Sequence, residues 1–351
     1  MKLIVLSYWE RMAGAVIAFS EILLLSQYLD FELFAPLVNH SELGAFIYPA
    51  QSNILEANNF ETYFDLKTIK NGTIDLLPHS SYSTLNTLCN IFHVIDYENN
   101  NCTRSKNHYR FSSDRVIKCI PYHYFQAKSK EKILQSFKSM LETGAQFCND
   151  TFILYEWHKI QSPLYTLPIQ KLVWGGLSDQ VKKYSQLIVT QLFGENARYH
   201  SIQFRGGYFY RGIRLNKTLS EDDQLMASVK DTFQAVPEGT KNIYFATDMY
   251  LTIPEGGGKA GSSRSTVLEA AMRYAYHSTG YNVRTLQNAS IPTSSSIDSF
   301  TLAALVDAQV VMTSPTVTVL SANSAYANIL CVMNNAHYNG SCVFHRAHGE
   351  W

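Results

Sequence analysis

The chain reads as an α/β protein built on parallel sheets, and three observations lead there. Near the N-terminus, an apolar strand over residues 2–7 is followed by helical spacing over 15–29 and a second strand over 31–36. That βαβ opening implies a parallel pair. From Tyr199 onward, strand and helix patterns alternate at the lengths of a Rossmann-like half. Finally, 351 residues exceed what one hydrophobic core usually serves, so two domains are expected. The division falls at Gly194-Glu195-Asn196, giving 1–195 and 196–351.

Taken in order, the loop after the first strand is Tyr8-Trp9-Glu10-Arg11-Met12-Ala13-Gly14, at the sheet edge where α/β proteins gather ligands. The apolar run over 13–25 is too short for a membrane helix and carries Glu21, so it reads as a core helix. It follows an apolar strand rather than a short basic region, and no signal peptide is evident. Residues 39 to about 121 are polar and rich in Asn, Ser and Tyr, with three sequons and three cysteines. They read as a decorated, disulfide-stapled insertion in the N-terminal domain. A helix is expected over 129–143, a strand over 151–158 and a helix over 178–193.

The second half begins with a strand over 199–204. A helix over 219–236 is opened by Ser220-Glu221-Asp222-Asp223, whose acids suit a helix N-terminus. A strand over 242–248 leads to the Gly-rich stretch 255–264 and a helix over 265–277. That stretch matches neither the Gly-x-x-x-x-Gly-Lys-Ser/Thr nor the Gly-x-Gly-x-x-Gly spacing and reads as a surface loop. The remainder is expected as strand 281–286, helix 295–307, buried strand 309–313, helix from about 316 to 326 and a last strand over 329–333.

Charge is balanced, with 29 basic and 29 acidic residues, so bulk electrostatics favour neither nucleic acid nor a membrane surface as partner. Six cysteines, at 89, 102, 119, 148, 331 and 342, include no Cys-x-x-Cys pair, which argues against a zinc or redox centre. They fall into a group of four and a group of two, and pairing within each group would give disulfides. Seven sequons, at Asn39, Asn71, Asn101, Asn149, Asn216, Asn288 and Asn339, are a modest excess. With the cysteine grouping they favour the lumen of the endoplasmic reticulum or Golgi over the cytosol.

Several residues could carry chemistry. The strand ending in Gln203-Phe204-Arg205-Gly206-Gly207 delivers a permanently charged guanidinium, matched to phosphate oxygens, to the ligand edge. The alternative is a surface arginine before a turn. Ala246-Thr247-Asp248 ends the next strand with a carboxylate that could accept from a ribose or base, or cap a turn. Asp298 stands near a helix start. Ser314-Pro315-Thr316-Val317-Thr318 would open a helix whose N–H groups and hydroxyls make an anion site; ordinary capping is the alternative. In this order the set suits a nucleotide diphosphate with a polar base.

With these residues in that order, the chain resembles the GDP-fucose-dependent fucosyltransferases. The likeness is to the protein O-fucosyltransferase-like group and its α1,2 and α1,6 relatives. The resemblance covers 199–330 and, more weakly, 1–38. Arg205 matches the family arginine that binds the β-phosphate and helps the fucose–phosphate bond break. Gln203 stands where the family usually has His, and Gly207 and Tyr208 where an Asp is often found. Asp248 matches the family Ala-Thr-Asp, and Asp298 a guanine contact. Ser314, Thr316, Val317 and Thr318 are similar to the phosphate loop. Glu10-Arg11-Met12-Ala13-Gly14 looks like the N-terminal Gly-Arg-x-Gly-Asn motif, with Arg11 matching and Gly14 in place of Asn. Glu10 is a candidate base.

The resemblance implies a GT-B architecture, two Rossmann-like domains facing a central cleft, with the donor held mainly by the C-terminal one. It implies an inverting glycosyltransferase using GDP-fucose, a glycan or glycoprotein acceptor and no metal; the sequence has no evident Asp-x-Asp motif. Catalytic roles fall to Arg205 and Glu10. Donor binding falls to Arg11, Gly14, Gln203, Gly206, Asp248, Asp298, Ser314, Thr316, Val317 and Thr318. The departures at Gln203, Gly207 and Gly14 leave two alternatives. One is a catalytically degenerate GT-B protein that binds a glycan or glycoprotein; the other is a transferase with a different nucleotide-sugar donor.

Overall fold

A computed structural model of the chain describes residues 1–8, 12–39, 46–47, 57–70, 76–78, 91–96, 116–121, 129–146, 151–157, 167–204, 220–247, 261–290, 299–315, 317–321, 325–338 and 340–345. They form two compact units, 1–180 with 294–302, and 181–293 with 303–351. Among the described residues no helix is long and apolar enough to cross a membrane.

In the first unit, β1 (Lys2–Tyr8) leads through α1 (Met12–Leu29) to β2 (Glu32–Phe34). β1 and β2 pair in parallel, with Lys2 opposite Glu32, as the βαβ pattern predicts. Short strands β3 (Leu37–Asn39), β4 (Phe46–Ile47) and β5 (Ala57–Asn59) follow. Then come α2 (Leu66–Lys70), β6 (Leu76–Leu77), β7 (Ile91–Asp96) and β8 (Val116–Pro121). The unit continues with α3 (Lys130–Ala145), β9 (Thr151–Trp157) and α4 (Leu167–Gly175).

The sheet runs β5-β3-β4-β1-β9-β7-β8, with β2 also on β1 and β6 on β2. The polar stretch 39–121 is therefore not simply an insertion, because β7 and β8 extend the main sheet in parallel. Their short apolar runs, Ile91-Phe92-His93-Val94-Ile95 and Val116-Ile117 with Ile120, are flanked by Asn, Ser and Tyr. A window average across such flanks hides a six-residue strand.

Glu21 lies mid-helix in α1 and is only 3% exposed. The core tolerates it because the Trp157 indole Nε1 donates to its Oε2 at 3.0 Å; a buried carboxylate without such a donor would be costly. Trp157 also meets Phe137 edge-on at 5.6 Å.

His93 of β7 is buried and stacks on Phe152 with ring centroids 4.1 Å apart. Among the described residues its Nδ1 meets no side-chain or backbone partner within hydrogen-bond geometry. Gly144 of α3 lies against the same pair: a Cβ there would collide with Phe152 Cε2 and sit 3.1 Å from His93 Cε1. Burial lowers the His93 pKa to about 4; a hydrogen bond with the Ile153 backbone opposes the shift and the Lys118 charge adds to it. The unfolded chain, near 6.5, therefore takes up a proton that the fold refuses. Stability is unaffected by this group above about pH 6.5, falls as the pH drops towards 4, and levels off below that. The loss has an upper bound of about 3 kcal/mol, trimmed where water reaches the ring. Denaturant unfolding at pH 7 and pH 5 should show more than half of this loss in the wild type and a smaller one in His93→Leu. Equal losses would mean that His93 does not set the acid sensitivity.

The second unit opens with α5 (Asp179–Phe193), β10 (His200–Phe204), α6 (Glu221–Gln234) and β11 (Asn242–Thr247). It continues with α7 (Gly261–Thr279), β12 (Asn282–Arg284), α8 (Ser299–Met312), β13 (Val317–Ser321), α9 (Ala325–Tyr338) and β14 (Ser341–His345). The unit includes α5, so it begins upstream of the boundary at 195/196. The first turns of α7 come from the end of the Gly-rich stretch.

All pairings in the second sheet are parallel, in the order β12-β11-β10-β13-β14. By rank along the chain that is 3-2-1-4-5, the Rossmann order. Alternation along β10 and β11 sends Ile202, Phe204, Ile243 and Phe245 into one core with Leu225, Val229 and Phe233 of α6 and Leu268 and Ala271 of α7. Cys331 of α9 is bonded to Cys342 of β14 across a Cα separation of 5.8 Å, joining the last two cysteines as their grouping suggests. Cys119 of β8 is also disulfide-bonded.

The expected order after residue 307 is displaced by one element. Residues 309–312 are the last turn of α8 and 317–321 are a strand, while 329–333 lie inside α9. Val310, Val311 and Met312 are all buried, and a helix end buried all round has the same short apolar run as a buried strand.

Candidate functional site

Parallel α/β sheets bind ligands beyond the carboxyl ends of their strands, where the strand order reverses direction. In the second unit that point lies between β10 and β13: the chain proceeds from β10 outward to β11 and β12, and from β13 outward to β14. Ser201, Ile202 and Gln203 of β10 face Thr318, Val319 and Leu320 of β13. The segments leaving Phe204 and Ser321 therefore start side by side. Arg205 and Gly206 are the first residues after β10, and Asp248 is the first after β11.

Arg205, Gly206, Asp248, Asp298, Thr316, Glu10 and Arg11 lie outside the described residues. The elements that carry them are described. Asp298 directly precedes α8. Glu10 and Arg11 stand between β1 and α1. β1 is itself at a reversal, with β2 on one side and β9 on the other. At that edge Tyr8 pairs with Trp157, and the Tyr8 phenol is buried, which holds its pKa well above the ordinary value. Gly14 is buried in the first turn of α1.

Gln203 is the penultimate residue of β10 and 6% exposed. It points away from the face on which Ile202 and Phe204 join the α6–α7 core. Its backbone pairs with Ala246 on one side and Leu320 on the other.

Ser314, Val317 and Thr318 do not form a helix N-terminus, which corrects the helix start expected there. Ser314 is fully buried, and its Oγ donates to the Tyr199 carbonyl at 3.3 Å. Tyr199 immediately precedes β10, so this contact is at the amino edge of the sheet, opposite the ligand edge. Val317 and Thr318 open β13 on the same amino side. The purpose of this corner is to close α8. The Tyr199 hydroxyl donates to the Val310 carbonyl at 2.9 Å. Asn334 Nδ2 of α9 donates to the carbonyls of Met312 at 2.8 Å and Ser314 at 3.0 Å. These contacts satisfy carbonyls that a helix end leaves open.

The strand-to-helix turn at the ligand edge comes one element later. β13 ends at Ser321 and α9 begins at Ala325, joined by Ala322-Asn323-Ser324. The sequence carries a signal for it: the β-branched run Val317-Thr318-Val319 followed by small polar residues. Tyr326, in the first turn of α9, has its phenol pKa pushed up by burial and by the Asp307 charge. Asp307 of α8 also accepts a hydrogen bond from the Tyr244 hydroxyl of β11. A guanidinium after β10 and the N-terminus of α9 would together suit a diphosphate. Among the described residues, no group of three or more His, Cys, Asp or Glu could hold a metal ion.

No family model matches the chain, and no curated protein matches it in sequence. Solved structures do match. POFUT1 in complex with GDP-fucose is similar over 99% of this chain and 98% of its own, with a TM-score of 0.62 at 10% identity. A second crystal form of that complex gives 0.59 at 11% identity, over 98% and 97%. The apo form gives 0.56 at 11% identity, over the same shares. The chain thus has the fold of POFUT1, α/β with two Rossmann-like units.

Proposed function

We propose that this chain is a GT-B glycosyltransferase that transfers fucose from GDP-fucose, with inversion, to a hydroxyl of a glycan or glycoprotein in the secretory pathway. The observation that carries the reading is the end-to-end fold likeness to a protein solved with GDP-fucose. It combines with the arginine that follows β10 at the sheet's order reversal. In this reading Arg205 and the turn from Ser321 into α9 hold the diphosphate. Asp248 and Asp298 contact the nucleoside, while Arg11 and Gly206 shape the donor side.

The acceptor oxygen attacks the anomeric carbon from the face opposite the diphosphate. The carbon–oxygen bond to phosphate breaks, its electron pair leaves on GDP, and Glu10 takes the acceptor proton. Negative charge grows on the departing diphosphate, so donors fixed there act most strongly in the transition state. The buried Gln203, where the resembling family usually has His, favours a second reading: a protein that keeps the nucleotide site without transfer.

Thermal unfolding with GDP, GDP-fucose, UDP and UDP-sugars separates these readings. A ligand at 100 times its dissociation constant stabilises by about 2.7 kcal/mol. Selective stabilisation by GDP and GDP-fucose is expected. An equal response to UDP compounds, or none to any nucleotide, would overturn the donor assignment. Stabilisation by GDP without turnover on any acceptor would favour the second reading.

A further inference from the structure

We propose that Asn288 is an N-glycosylation site that shields β12, the last strand of the second sheet among the described residues; this rests on the lumenal location under Proposed function. Asn288-Ala289-Ser290 is a sequon, and all three of its residues are described. It follows edge strand β12, which pairs with β11 on its inner side. Thr285 and Leu286 are buried and anchor a single 3₁₀ turn, Leu286–Asn288.

The Asn288 carboxamide is exposed and held in one orientation. Its Oδ1 accepts from the Thr285 backbone N–H at 2.8 Å and from the Thr285 hydroxyl at 3.3 Å. A backbone N–H can only donate, so the atom facing it is the oxygen. The amide is planar, and Nδ2 is therefore turned away from the turn. Ser290, which supplies the sequon hydroxyl, is also exposed, and its N–H donates to Gln191 Oε1 at 3.1 Å.

The modification is compatible with this geometry. Nδ2 attacks the anomeric carbon of a lipid-linked oligosaccharide diphosphate. The Nδ2–C1 bond forms, the C1–O bond breaks, the lipid diphosphate departs with the electron pair, and one amide proton passes to the transferring enzyme's base. Oδ1 is untouched, so both bonds to Thr285 survive. A mobile, hydrated sugar beside β12 then blocks strand addition at an edge whose backbone groups would otherwise template it.

The test is expression of the full chain in cultured animal cells, followed by release of N-glycans in heavy-oxygen water and peptide mapping. Release converts a glycosylated Asn to a labelled Asp. Label at Asn288, lost in Ser290→Ala and retained in Ser290→Thr, is the expected result. The glycan should also come off the folded protein without denaturant, because the site is exposed. Label at other sequons but not at Asn288 would overturn this proposal and leave the lumenal reading standing. Label at no sequon would overturn both.

Discussion

Arg205→Ala is expected to lower the rate of transfer from GDP-fucose by about 100- to 1000-fold, the usual cost of removing one fixed donor from a developing oxyanion. The physical case is that Arg205 is the first residue beyond β10, at the order reversal of the second sheet. On the proposed reading, a permanently charged fork there would meet oxygens that gain charge as the bond breaks. The loss should appear in kcat as well as in kcat/KM, since the interaction strengthens towards the transition state. The melting temperature without nucleotide should stay within a degree or two, because on the proposed reading the guanidinium serves the donor and not the core. Arg205→Lys should recover little, as an ammonium lacks the fork. Near-normal turnover in the alanine variant would remove Arg205 from the donor site.

Trp157→Phe should destabilise the first unit by about 3 kcal/mol. Part of that is the lost donor to a buried carboxylate, and part is the volume lost beside Phe137. Urea unfolding should show the midpoint fall. A double-mutant cycle with Glu21→Leu separates the two parts: the double variant should lose less than the sum of the single ones, by about 1 kcal/mol or more. Additive losses would mean that the indole contributes only its packing, and that Glu21 is satisfied by other groups.

Strand ends and helix starts were legible wherever the apolar pattern changed period at a polar boundary. β1, α1, β9, β10 and β11 agree with their sequence patterns to within a few residues for that reason. The pattern failed in two places with different causes. β7 and β8 are six-residue runs in polar surroundings, and their strand character comes from pairing with each other across 25 residues and from β7 pairing with β9 across 61. α8 ends fully buried, so Val310 and Val311 carry no periodic polar partner to mark a helix. That second failure put a helix start at Ser314, Val317 and Thr318, where the chain instead enters β13. The motif order was readable, whereas assigning a residue to one edge of the sheet required the strand register. Ser314 belongs at the amino edge because Tyr199 and Asn334 bind there, and both contacts join residues far apart in the chain.

The position of β9 sets a timetable for the growing polypeptide. β9 lies between β1 and β7 in the first sheet, with Lys2 beside Thr151 on one side and His93 beside Leu154 on the other. During vectorial synthesis β1 emerges first and then waits for about 150 residues to follow before its central neighbour exists. Through that interval an apolar strand offers an unpaired edge to any nascent chain nearby. At ribosomal speeds of about 5–20 residues per second the wait is about ten seconds or longer. Production of this protein should therefore respond strongly to holding chaperones and to slower, cooler synthesis, even in variants whose finished fold is unaltered.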